Sequence, residues 1–257
     1  EAYNACLPLL SEYNTWMGQH SDLCAAYQQI VDGKAFATLD TAQQKSINQS
    51  LRDFRLAGVA LPPDKKKGYG ELRQRLSKLG STFGENVLDA TSAWSKQVTA
   101  EQLRGLPETA MASAKQAAVA VGQQDYLINL EFPSLSPVLN YCDNRELRET
   151  VYTAHCTRAS ELGPHGGQWD NTALITDTLQ LRSELSQLLG FENYAELSLA
   201  TKMAESAASV VDFLQQLAEQ SLSQAKEEWR QLVEFARDDS GLTDLQSWDV
   251  GYYSEKL

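Results

Sequence analysis

Apolar positions recur at helical spacing along most of the chain, and the period changes once. From Ser206, the residues Val210, Phe213, Leu217, Ala225, Trp229, Leu232 and Ala236 trace one face of what the pattern predicts as the longest helix, with that face turned inward. Leu174, Leu181, Leu185 and Leu188 mark a second helix, closed by Gly190, and Asn193 with Glu196 caps a short successor. Asp40 with Gln43 has the capping-box spacing and opens a helix to about Ala57. Asp143 with Glu146 repeats that spacing and predicts a helix to about Leu162. A longer helix is expected from Pro63 to about Val98, interrupted by Gly68, Gly70, Gly80 and Gly84. A short one follows Pro107 and stops near Gly122. The opening stretch to Gly33 keeps an apolar stripe, in which Pro8 fits only with a kink.

In "QDYLINLEF" the period becomes two. Tyr126, Ile128, Leu130 and Phe132 alternate with Leu127, Asn129 and Glu131, which predicts a strand ended by Pro133. An isolated strand leaves its backbone groups unpaired, so its partner lies in a segment that reads as something else or in sequence not present here. Ser136 before Pro137 predicts the next helix start, and Ser247 predicts a cap for a helix beginning at Trp248. The expected fold class is mainly α: a multi-helix scaffold over 1–257 with a minor β element near 125–132. A subdivision, where one exists, is placed near 122–133.

Charge narrows the partners. With 34 acidic against 22 basic residues, the net charge of −12 argues against nucleic acid or an anionic membrane surface. No apolar run approaches membrane-spanning length. Cys6, Cys24, Cys142 and Cys156 lack paired spacing and read as free, buried thiols in a reducing compartment.

Candidate chemistry is sparse. Of the three histidines, His155 and His165 are ten residues apart, with no HxxxH pair and no adjoining cysteine–carboxylate cluster, so no metal ligands and no catalytic residues are assigned. Cys156 beside His155 points about 100° away from it on a helix, which does not build a thiol dyad. The stretch "WDVGYYSEKL" differs: Asp249 stands at i,i+3 from Tyr252 and i,i+4 from Tyr253, so one face carries a carboxylate and two phenols. Two readings stand: a buried, mutually satisfied cluster, or the polar wall of a substrate cavity.

The segments "LLSEYNTWMGQH", "NVLDATSAW", "FPSLSPVLNYCDNRELRETVYTAHCTRAS", "GQWDNTALITDTLQLRSELSQLLGFENYA", "GFENYAELSLATKMAESAASVVDFL" and "LQSWDVGYYSEKL" resemble, in collinear order, the non-catalytic part of the thimet-oligopeptidase family of zinc metallopeptidases. The resemblance implies a mostly helical, two-lobed cytoplasmic enzyme that cleaves internal bonds of short peptides in a deep channel. It also implies zinc, held by an HExxH helix and a downstream glutamate. This chain contains no HExxH, so none of those catalytic residues is carried over. The resemblance then makes the chain a scaffold that is inactive alone, with the missing catalytic region as its intramolecular partner. Asp249, Tyr252 and Tyr253 become substrate-channel candidates. The alternative is a stand-alone helical module that binds peptides or a protein without catalysis.

Overall fold

Residues 2–257 are described by the structure, a computed structural model. The elements run α1 (Ala2–Gly18), α2 (Ser21–Asp32), a 3-10 turn (Lys34–Thr38), α3 (Thr41–Leu56), α4 (Pro63–Ala93) and β1 (Ser95–Val98). There follow α5 (Glu108–Ala120), β2 (Tyr126–Asn129), α6 (Phe132–Tyr141), α7 (Arg145–Cys156), α8 (Thr172–Leu188), α9 (Tyr194–Leu199), α10 (Ala207–Ser240) and α11 (Ser247–Lys256). The fold is mainly α, with one small sheet.

The strand's partner lies at the end of what reads as the long helix. That helix stops at Ala93, and Ser95–Val98 pairs antiparallel with β2, Ser95 facing Asn129 and Val98 facing Tyr126. The switch is driven by burial: Val98 reaches the core from the strand. The four glycines do not interrupt α4, which runs unbroken for 31 residues. A glycine keeps its N–H and weakens a helix by about 1 kcal/mol without breaking the ladder, and Gly68, Gly80 and Gly84 face open space.

Other boundaries move by tertiary demand. β2 ends at Asn129, and Phe132 and Pro133 open α6, so Pro133 starts a helix rather than ending a strand. Ser136 and Pro137 therefore lie inside α6. The Asp40–Gln43 capping box forms as expected, with bonds of 2.8 and 3.1 Å. The Asp143–Glu146 box does not. Asn144 caps α7 by accepting from the Leu147 N–H, and α7 ends at Cys156 instead of near Leu162. In α11 the residue before the helix is Gln246, not Ser247, and Asp249 reaches back to accept from the Gln246 N–H at 3.0 Å.

Two compact units share the chain. The first holds residues 1–83 and 173–209, the second residues 84–172 and 210–257, so the 122–133 segment lies inside the second. The first unit has a thin core around Leu51, Phe54, Tyr69, Leu181 and Leu185, and α1 buries none of its described residues. In the second, Val98, Leu103, Ile128, Leu130, Val138, Leu147 and Val151 form a continuous core beneath the sheet and α5–α7. A smaller cluster joins Leu232 and Ala236 of α10 to Tyr252 and Tyr253 of α11.

The apolar stripe on α10 is present but mostly uncovered. Leu232 and Ala236 are buried, whereas Phe213, Leu217 and Trp229 are exposed, contrary to the inward face that their spacing predicts. Periodicity identifies the stripe; it does not supply the surface that covers it. The cysteines are free as expected, but only Cys142 is buried; Cys6 and Cys156 are exposed.

Candidate functional site

The residues singled out by sequence converge where α11 meets α6 and α7 in the second unit. Close approach comes first. Gly251 on α11 sits against α6 so tightly that a Cβ there would fall 2.6 Å from the Asn140 Oδ1. Gly105 adopts a φ of 95°, and a Cβ at that position would meet the Tyr141 carbonyl and the Asp143 carboxylate. Position 105 therefore favours glycine, whereas at Gly251 the Asn140 side chain alone would have to turn aside.

Asp249 is fully enclosed and saturated. Its Oδ1 accepts from Arg145 Nε at 3.1 Å and Arg148 Nη2 at 2.8 Å. Its Oδ2 accepts from Arg145 Nε at 3.0 Å, Arg145 Nη2 at 2.8 Å and the Gln246 N–H. Arg148 is 1% exposed and equally well placed. It donates from Nε to the Trp248 carbonyl and from Nη1 to the Cys142 and Asp143 carbonyls, and its guanidinium lies 4.0 Å from the centre of the Tyr252 ring. A buried ion pair is tolerable only when its remaining donors and lone pairs are met, and here they are. Burial pushes the Asp249 carboxyl up, but the hydrogen bonds from Arg145 and Arg148 outweigh it, and the net direction is below the usual carboxylate range.

The two phenols turn to different partners. Tyr252 donates to Asp143 Oδ1 at 2.8 Å, and Asp143 Oδ2 accepts from Arg104 Nε at 2.9 Å. Burial and then the bond to Asp143 raise the Tyr252 phenol. For Asp143, burial acts upward while Tyr252 and Arg104 act downward more strongly, and the carboxyl is lowered. The Tyr253 hydroxyl shares a 2.6 Å hydrogen bond with Ser240 of α10. Asp249, Tyr252 and Tyr253 are thus brought together as one buried cluster, with every side-chain oxygen occupied. Such an arrangement fixes α11 in place. It offers no free base or nucleophile.

Sequence reasoning missed Arg145, Arg148, Arg104 and the role of Asp143. A signal existed for one of them: Arg148 stands beside Leu147 and three residues before Val151, a cation on the core side of an amphipathic helix. The histidines go elsewhere. His20 caps α2 by accepting from the Leu23 N–H, and His165 lies edge-on to Trp169. His155 is lowered by burial and by the charge of Arg158. Among the described residues no group of three or more His, Cys, Asp or Glu converges to hold a metal ion, and no helix is long and apolar enough to cross a membrane.

Residues 138–257 match Peptidase family M3, and residues 1–66 match the Neurolysin/Thimet oligopeptidase N-terminal domain. The chain is 52% identical over all its 257 residues to oligopeptidase A of Salmonella typhimurium, and 52% identical to that of Escherichia coli, spanning 38% of the length of each. It is 36% identical over 251 residues to a probable cytosolic oligopeptidase A of Arabidopsis thaliana, covering 94% of this chain and 35% of that protein. The two matches lie in the same order along one chain, whose 138–257 part is similar to peptidase family M3 and whose whole length is similar to oligopeptidase A.

Proposed function

We propose that the chain is the helical scaffold of a zinc-dependent oligopeptidase that hydrolyses internal bonds of short peptides in the cytoplasm, and that by itself it cleaves nothing. The observation carrying this reading is the 52% identity to oligopeptidase A across all 257 residues. The described residues do not fit zinc, because no group of three or more His, Cys, Asp or Glu converges among them. The metal and the bond-breaking groups therefore belong to the remainder of a longer protein, the intramolecular partner of this chain. In this reading α11 backs one wall of the peptide channel. Since their polar atoms are occupied, Asp249, Tyr252 and Tyr253 act as positioning residues that hold the helix rather than as groups that touch peptide.

The test has two parts. Incubation of the purified chain with an internally quenched peptide, with and without zinc, is expected to give turnover equal to buffer. Sequencing of the source gene beyond the Leu257 codon is expected to reach HExxH and a downstream glutamate in frame. Zinc-dependent turnover that co-purifies with the chain overturns its inactivity. A frame lacking the motif overturns the peptidase reading, and peptide binding without cleavage in that case makes the chain a stand-alone binding module.

A further inference from the structure

The first unit contains a cavity of about 840 Å³, walled by α1, α3, α4, α8 and α9. Its volume is that of a small-molecule site, which typically occupies about 300–1,000 Å³. Its lining is amphipathic. Leu7, Leu56 and Leu197 form apolar surface, and Tyr69, Arg73 and Lys202 bring polar groups to the same space. Tyr69 is 7% exposed yet makes no hydrogen bond among the described residues. A buried phenol ordinarily finds a partner. Its oxygen is not one of the fully sealed, unpartnered atoms, so the hydroxyl opens onto the cavity.

The charges point the same way. Arg73, one turn along α4 from Tyr69, has no ion-pair partner among the described residues, and its charge is felt by the Tyr69 phenol. Lys202 donates to the Ser198 hydroxyl and meets no carboxylate. Asp53, the acid on the wall, is already held by Arg52 at 2.8 Å. In a chain of net charge −12, this cavity gathers two cations that no acid pairs and a buried hydroxyl without an acceptor, its one acid being held by Arg52.

We propose that the cavity binds a small amphipathic carboxylate, its carboxylate on Arg73 and the Tyr69 hydroxyl and its branched apolar group among Leu7, Leu56 and Leu197. Arg73 supplies a charge-assisted hydrogen bond to an anion, and the buried phenol gains the acceptor it lacks. The leucines reward an apolar group of matching size, so neither a bare anion nor a neutral hydrocarbon satisfies the whole site. The proposal does not rest on the chain being part of a peptidase.

The probe is N-acetyl-L-leucine, titrated into the full chain by calorimetry beside its neutral counterpart N-acetyl-L-leucinamide. Saturable binding of the acid is expected, with the amide at least about tenfold weaker. Arg73→Gln is expected to weaken the acid about tenfold and Tyr69→Phe several-fold, with far-UV circular dichroism unchanged in both. Arg73 is exposed, so its replacement leaves the fold intact and tests the charge alone. Absence of saturable binding, equal binding of acid and amide, or undiminished binding by Arg73→Gln each overturns the proposal.

Discussion

Two ion networks in the second unit share one wiring and differ in everything else. Asp249 stands between Arg145 and Arg148, with closest contacts of 2.8 Å to each. Arg230 on α10 stands between Glu227 and Glu234, at 2.7 and 2.6 Å. By distance the second is the tighter. Yet Asp249 is sealed from solvent and ties residues about a hundred positions apart, whereas the Arg230 side chain is 54% exposed and bonds only its own helix. The surface pairs are screened, and water replaces them when they part. The buried set has no such replacement. What holds the fold is therefore the network whose loss leaves a charge stranded, not the one with the shortest contacts.

That contrast is broken most directly at Asp249. Asp249→Ala leaves Arg148 enclosed without its counter-charge and is expected to destabilise the chain by about 3–5 kcal/mol, read from the urea midpoint at constant slope. Acid acts on the same groups. The folded-state carboxyls of Asp249 and Asp143 lie below their ordinary values, so the stability they contribute is complete above about pH 4 and declines as pH falls through the folded values. Urea midpoints measured from pH 6 down to 3 are expected to drop over the acid end, and Asp143→Asn to flatten part of that drop. A smaller effect belongs to Tyr252→Phe, which removes the bond to Asp143 but keeps the ring, at about 1 kcal/mol by the same measurement. Arg230→Gln closes the series with no measurable change in midpoint, although Arg230 holds Glu227 down to about 2. If Arg230→Gln shifted the midpoint as far as Asp249→Ala, burial would not be the variable that separates the two networks.

The same division governs what the sequence reveals. Local bonds are legible: the Asp40–Gln43 box, the Asn193 cap and the i,i+3/i+4 grouping of Asp249, Tyr252 and Tyr253 all appear where spacing places them. Asp143 shows how local rules fail. Asp143 and Asn144 are both competent caps; tertiary partners decide, because Arg104 and Tyr252 claim the Asp143 carboxylate and leave the cap to Asn144. β1 is hidden because four residues following a 31-residue helix carry too little pattern to announce a change of period. The partners of Asp249 are hidden for a related reason: no periodicity links α7 to a helix a hundred residues later. The cavity at Tyr69 is invisible for want of any motif, since its residues come from five helices and the turns beside them.

The span between Arg148 and Asp249 sets a schedule as well as a contact. The two are 101 residues apart in the chain. At a ribosomal pace of about 5–20 residues per second, the arginine emerges about 5–20 seconds before its acid. During that interval α7 exists with a cation on its core side and nothing to neutralise it, so the nascent chain must keep that side wet. Arrival of α11 then expels water and closes the lock in one step. The helix that closes this lock thus leaves the ribosome about a hundred residues after the one it secures.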